Sequence, residues 1–492
     1  MRIQCSLLVV ICATTPLFCA GQMQRWMELC DGSGDGSPDV QGSVALFPDT
    51  TYRALAIWSE NGEGHLRARA ITSTGDTAWS RHYVQPLGTL GTGSSHVTDR
   101  RSDDTWLWAG TVYPPGGEPD GAVYCFTPTG DTLWHKRFRS PMHDAFNGMC
   151  LTLDGGACMV GNSDQGNSQV YLARIGVNGD SLWTKVHGTA QSENAFAISL
   201  AQDGGFLVTG YRLQSGNQYD MLLMRTDDDG ELLWQRTYGS PWSDNAAFAT
   251  ELPSGRIVLA GAERASANVQ KRPVLYMLEA DGDEVWTVLF DERTESAVFY
   301  AIPLLMEDGG FAISGGENVN GTPHGLLVRT DSLGELLWKR WYSTNDAIDN
   351  YTYDVRRTLD GGFILAGTAF DSALVSQDAW LVKVDSFGCL IPGCQVFDGL
   401  EEQVTDLRDA LEVFPNPASD QTNVRITLPV GTKRENLRLA LVSTEGKLVQ
   451  EEAIASIAPT HVLDLARCAP GLYFVHLLDG ARWLSGTKVV VE

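Results

Sequence analysis

Apolar and polar positions alternate in short runs along most of this chain, and the runs recur in one order. In residues 195–238 an apolar stretch, 195–200, leads to the turn Asp203-Gly-Gly. A run rich in β formers, 206–211, follows and is expected to end at Gly210. After a variable segment come 221–226, a tight turn about Gly230, and 232–238, Leu-Leu-Trp-Gln-Arg-Thr-Tyr. The pattern predicts four short strands and carries no helical period. The strand after each turn ends in glycine elsewhere too, at Gly110, Gly161, Gly261, Gly315 and Gly367.

The unit repeats. A glycine stands four residues before a tryptophan at Gly75/Trp79, Gly130/Trp134, Gly179/Trp183, Gly230/Trp234, Gly282/Trp286 and Gly334/Trp338. A seventh glycine, Gly388, keeps the spacing, but Pro392 replaces its tryptophan. The intervals between these glycines are 55, 49, 51, 52, 52 and 54 residues. Such a period, with four strands in each copy, predicts an all-β fold, a seven-bladed β-propeller over residues 22–394. The seventh blade lacks an outer strand, because Pro392-Gly393 breaks it, while 22–29 stand alone ahead of the first blade. That segment is expected to supply the missing strand and close the ring. The six tryptophans are expected to pack against the neighbouring blade.

Composition adds the compartment. The chain has 492 residues and a net charge of −25, which speaks against nucleic-acid binding, since a phosphate-binding face needs clustered Lys and Arg. Residues 1–21 read as a signal peptide, with Arg2 ahead of apolar runs and then small residues. No later stretch is long and apolar enough to cross a membrane as a helix. Seven cysteines follow the leader. Cys389 and Cys394 flank Pro-Gly and are the expected disulfide in an exported chain. Cys150 and Cys158 face each other across Asp154-Gly-Gly, either as a second bridge or as two buried thiols.

The blade motif resembles the tryptophan-docking motif of quinoprotein propellers and, more loosely, the Asp-box of sialidases. Both are structural turns and imply no activity. Residues 395–411 are polar and acidic and read as a linker. Residues 412–492 then open on Pro415-Asn416-Pro417-Ala-Ser-Asp420, pass a Gly446-Lys447 turn and Pro470-Gly471-Leu-Tyr473, and close on a strand from Lys488. In that order and spacing they resemble the C-terminal sorting domain of type IX secretion cargo from Bacteroidetes-type bacteria. The resemblance implies a small Ig-like sandwich, with the outer-membrane secretion machinery as partner. It also implies passage through the periplasm to the cell surface or medium.

Chemistry is sparse. Arg174, Arg225, Arg329 and Lys383 share one register, with Asp227, Asp331 and Asp385 two residues later. Ion pairs within each blade are expected there, ahead of a carboxylate-binding arginine cluster. Asp120, Asp220 and Asp378 recur ten residues before the turn glycine and are expected to bond loop backbone. His187 occupies a position otherwise held by Tyr or Phe and is expected to pack. Asp31, Asp35 and Asp39 alternate as calcium ligands do, without the closing Glu of a calcium loop, and no other cofactor is expected. No nucleophile elbow, zinc-protease motif or phosphate loop is present, so no catalytic residue is assigned. The variable segments 162–169, 212–219, 263–272, 317–324 and 370–377 are the candidate ligand loops. The expected function is binding of an extracellular glycan or protein, with polysaccharide hydrolysis or elimination as the alternative.

Overall fold

The computed structural model describes residues 25–492 except 31–39, 61–62, 84–87, 94–95, 140–143, 165, 215–217, 265, 267–268, 291–295, 345–347, 372–375, 392–393, 397–401, 404–409, 429–436, 445, 455–459 and 481. The leader and the aspartates at 31, 35 and 39 lie outside the described residues. The described residues form strands, with one short 3-10 turn at Cys394–Val396.

The Asp-Gly-Gly turns and the glycine turns fold each unit back on itself, so each becomes an antiparallel sheet. Seven such sheets follow one another at 40–83, 89–138, 144–187, 193–238, 248–289, 297–343 and 349–384, numbered here 1 to 7. Sheet 7 takes its fourth strand from the start of the chain: Trp26–Cys30 pairs antiparallel with Ser376–Val384. The two central strands of a sheet are nearly all apolar because both faces are covered, as in Tyr219–Thr226, whose last six residues are buried. The apolar side chains between sheets gather into successive cores, joining 1 to 2, 2 to 3 and onward to 6 and 7. A last core brings Val44, Tyr52, Ala54 and Ile71 of sheet 1 onto Ile364, Ala366 and Leu381 of sheet 7. The sheets thus form a closed β-propeller.

The repeated tryptophan and glycine meet across sheets. The rings of Trp79, Trp134, Trp183, Trp286 and Trp338 lie on the turn glycines of the next sheet, at 130, 179, 230, 334 and 388. Trp234 packs against the core between sheets 4 and 5, whose Gly282 is covered instead by Arg236 and Tyr238. The glycine is required twice over: its φ is positive, and at Gly230 an added Cβ would come within 2.5 Å of the ring. A seventh ring, Trp26, lies on Gly75 and donates its indole N–H to the Ser73 carbonyl at 2.9 Å. A second clasp sits beside the first. Tyr83, Tyr238 and Tyr342 donate their hydroxyls to the carbonyls of Gly130, Gly282 and Gly388, and the His187 Nε2 meets Gly230 O at 2.8 Å. His187 is therefore a polar clasp as well as a packed ring.

Three expectations need correction. The strands do not end at the repeated glycines, since Phe206–Leu213 runs through Gly210, and the connecting loops are correspondingly shorter. The glycine is there because a β-bulge in the neighbouring strand pushes a carbonyl into its place. A Cβ on Gly161, Gly210 or Gly367 would lie 1.6, 1.8 or 1.8 Å from the oxygens of Ala145, Asn194 and Tyr351. Second, the basic register pairs with the aspartate of the Asp-Gly-Gly turn: Arg174 with Asp154, Arg225 with Asp203, Arg329 with Asp308, and Lys383 with Asp360. Asp227, Asp331 and Asp385 instead accept the N–H four residues on, which shapes the glycine turn. Asp385 also holds Arg25 at 2.6 Å. Third, among the described residues Asp120 pairs with the Arg137 side chain, and Asp220 accepts from the Gln214 side-chain amide at 2.8 Å.

Residues 411–491 form a separate sandwich of a three-stranded and a four-stranded sheet around their own core. The described parts of the linker make contacts with the propeller and the sandwich. Glu402–Gln403 adds a short parallel strand to the open outer edge of sheet 6, beside Tyr342 and Ser343. Cys389 and Cys394 are disulfide-bonded, and with Ile391 they pack on Ala440 and Leu478 of the sandwich. Cys150 and Cys158 face each other in register as free, buried thiols. Burial pushes the Cys150 thiol up to about 12 and Cys158 well above the usual range, which leaves both unreactive.

Candidate functional site

The first strands of sheets 2 and 7 lie next to the axis. The proof is contact across a sheet: His96 and Asp99 of sheet 2 reach Asp354 and Arg356 of sheet 7, with sheet 1 between them along the ring. There the His96 Nε2 meets the Arg356 guanidinium at 2.9 Å, and its Nδ1 lies 3.8 Å from Asp354. Arg356 also donates to Asp354 at 3.0 Å. His96 sits at a φ of 50°, a left-handed conformation that costs energy outside glycine. Burial pushes the Asp99 carboxyl up, but Arg356 and His96 outweigh it and hold it down at about 2. The charges of these four side chains are spent on one another.

At the end of the axis where the inner strands begin, the lining becomes aromatic. The bulges that displace the repeated glycines leave one extra residue in each inner strand: Asn147 in sheet 3, Phe196 in sheet 4 and Tyr353 in sheet 7. A bulge turns its extra side chain out of the alternation: Asn147 donates to the Ala195 carbonyl of the next sheet at 2.8 Å, and Phe196 and Tyr353 meet other aromatic rings. Tyr300 of sheet 6 stands in the break between Ala297–Phe299 and Leu304–Leu305 and meets Tyr353 at 5.6 Å and Tyr351 at 6.1 Å. It also hydrogen-bonds the Asn245 side chain. Phe196 packs on Tyr211 at 5.5 Å, and Tyr211 on Tyr219 at 4.6 Å. Ile302, two residues after Tyr300, and Phe196 both pack against Ala246 and Phe248. All six rings are partly exposed, unlike Trp106, Trp108, Trp380 and Phe206, which are fully buried between sheets.

An acidic group borders this mouth. Asp244 accepts two bonds from Ser240, at 2.6 and 2.8 Å, and one from the Arg264 N–H, yet burial still raises its carboxyl to about 6. Burial and then the nearby Asp244 charge raise Glu263 to about 7, and the Tyr276 hydroxyl donates to it. Burial also raises Asp220 and Asp349. The cations nearby are engaged. Arg212 pairs with Glu193 at 2.8 Å, and Lys271 donates to the Asp244 carbonyl and to Asn245. No group of three or more metal-ligating side chains occurs among the described residues.

The sorting-motif residues form the joint of the terminal sandwich. The Asn416 amide donates to the Lys488 carbonyl at 2.8 Å and accepts from the Val490 N–H at 2.9 Å, tying the first segment to the last strand. Tyr473 donates its hydroxyl back to Ala469 O at 2.8 Å, locking the corner that carries Pro470 and Gly471. Gly446 turns with a φ of 77°, and the Gln395 amide of the linker donates to its carbonyl at 2.8 Å. The chain's match over this segment, 412–492, is to the family described as secretion system C-terminal sorting domain. Residues 412–492 are a sorting domain. The chain is cargo of the type IX secretion system, exported to the cell surface or the extracellular space.

The propeller matches, over residues 62–272, the family described as outer membrane protein assembly factor BamB. No curated protein matches the chain. Solved structures do. The β-propeller domain of the Trilobed protease from Pyrococcus furiosus is 10% identical, covering 75% of this chain and 99% of its own, at a TM-score of 0.42. The Pan2 WD40 domain of Neurospora crassa is 12% identical over 71% of this chain and 90% of its own, at 0.40. Polysaccharide lyase Uly1 is 11% identical over 70% and 89%, at 0.46. No activity transfers at these identities.

Proposed function

We propose that this cargo is an extracellular binding module whose ligand, a glycan or a protein, enters the aromatic mouth of the propeller axis. In this reading residues 1–21 direct export and are removed, 22–394 form one seven-bladed ring, 395–411 link, and 412–492 address the chain to the outer-membrane machinery of a Bacteroidetes-type cell. The observation that carries it is the clustering of six partly exposed aromatic rings from sheets 4, 6 and 7, two of which, Phe196 and Tyr353, are the extra residues of bulges. The clasping tryptophans are partly exposed as well, but they cover turn glycines of the next sheet, whereas these six rings meet one another. Bulges that re-aim side chains are features of functional rims. The charges of His96, Asp99, Asp354 and Arg356 are spent on one another, which favours holding a ligand. Asp244 and Glu263, raised to about 6 and 7, are the groups that proton transfer in the enzymatic alternative would use.

The test is a binding screen of the mature, full-length protein against arrayed glycans and surface proteins, with cleavage products measured in the same wells. Retention without cleavage, lost in Tyr351→Ala, supports the reading. Turnover of a polysaccharide with the same dependence would replace it by the enzymatic alternative. Retention unaffected by any mouth variant would place the ligand elsewhere.

A further inference from the structure

We infer that the mouth accepts a neutral glycan chain, and excludes uronate-rich or sulfated polymers. The inference rests on the reading that the mouth is the ligand site and goes further by assigning the ligand's chemistry.

The first argument is shape and surface. Tyr351 and Tyr353 lie nearly parallel, 18° apart with centroids 6.5 Å apart, and Tyr300 stands edge-on to Tyr351 at 77°. A second run of rings, Phe196, Tyr211 and Tyr219, crosses sheet 4, and Ile302, two residues from Tyr300, packs against the same small cluster as Phe196. Ring faces offer apolar area to the C–H faces of pyranose rings, and tyrosine hydroxyls leave a polar tip for their hydroxyls. A run of faces crossing several sheets fits a chain of repeating rings better than one compact small molecule. Amide groups stand beside it: Asn245 bonds Tyr300, and Asn194 accepts from Ser168 at 2.9 Å.

The second argument is charge. A polyanion needs cations with unspent charge at the site. Here Arg212 is held by Glu193, Arg356 by Asp354 and Asp99, and burial pushes the Lys271 ammonium down. The carboxylates around the mouth, Asp220, Asp244, Glu263 and Asp349, all have raised pKa values, so an approaching anion meets groups already short of solvation. The chain as a whole carries −25. A neutral sugar pays none of this repulsion.

The experiment uses the mature, full-length protein in affinity gels and calorimetry. The probes are neutral β-glucan, mannan and xylan oligosaccharides, alginate and a sulfated galactan as polyanions, and oligolysine as a cationic peptide. Binding to at least one neutral glycan is expected, weakened roughly tenfold in Tyr351→Ala and in Phe196→Ala, since one ring stack is worth about that factor. Tyr353→Leu, which keeps an apolar side chain at the bulge, serves should an alanine variant melt early. Phe387→Ala, an exposed ring in the Gly388 turn at the opposite end of the strands, should leave binding unchanged. Retention of the polyanions or of oligolysine, with the neutral glycans unbound and the same variants defective, would overturn the neutral-glycan assignment and leave the mouth as the site. Binding of any probe that ignores all the mouth variants would overturn both.

Discussion

Trp26 is expected to hold the ring shut, and replacing it with alanine should cost about as much as deleting a half-buried core side chain. Its ring lies on Gly75, so close that a Cβ there would come within 2.8 Å, and packs 5.8 Å from Tyr52. Removing a fully buried Trp costs about 3–5 kcal/mol, and since this one is partly exposed about half of that applies. The lost bond to Ser73 adds roughly 1 kcal/mol. A net loss of about 2–3 kcal/mol follows for Trp26→Ala in the mature protein. Trp183→Ala, which uncovers Gly230 inside the chain, should lose a similar amount. The two differ in where the damage appears. Only the Trp26 variant should release Trp26–Cys30 and speed hydrogen exchange along its partner strand, Ser376–Val384. Denaturant melts give the magnitude and exchange gives the location. Unchanged protection of residues 376–384, with a loss below about 0.5 kcal/mol, would refute the idea that this strand closes the propeller.

Glu263→Gln should flatten part of the pH dependence of stability. The folded carboxyl titrates near 7 against an ordinary 4.5, so its contribution is complete below about pH 4.5 and is lost as the pH rises to about 7. The variant should gain roughly 1–2 kcal/mol over wild type at pH 8 and nothing at pH 4, the full shift being discounted for partial exposure. Gly210→Ala forces a Cβ to 1.8 Å from Asn194 O and should cost about 1–3 kcal/mol in a denaturant melt. It should also impair ligand binding through the displaced Phe196 bulge. Gln395→Ala combined with Cys389→Ser and Cys394→Ser should free the terminal sandwich from the propeller, seen as faster proteolysis between the two domains with unchanged melting of each. Deleting residues 412–492 should leave a folded propeller retained in the cell envelope, and fractionation that finds it outside would refute the sorting role.

The repeat was legible because each of its features is local. A turn glycine, the tryptophan four residues on and the Asp-Gly-Gly hairpin are all set by backbone geometry within a few residues. What the spacing could not supply was the partner of a side chain. Arg225 stands two residues from Asp227 in sequence but meets Asp203, across the hairpin and 22 residues away. The strand-ending glycine was misread for a related reason: glycine marks a stop in many strands, but here it marks close approach by a bulged neighbour. Trp26 shows the same limit. It is the seventh copy of the motif, separated from its frame by the whole ring, so no interval in the sequence points to it.

The mouth was the least legible part because its residues are those the repeat does not constrain. At the bulge position the chain carries Asn147, Phe196 and Tyr353 in different sheets, a variation that reads as noise beside the invariant turns. In the fold, that position is the extra residue of the inner strand in sheets 3, 4 and 7, and in sheets 4 and 7 it joins the partly exposed rings. A repeat fixes whatever the sheets need from one another and leaves the axial position free, so the chemistry of a propeller gathers where its motif is weakest. A search for function in such a chain should begin by subtracting the repeat. The residues opposite the close-approach glycines are then the first to mutate.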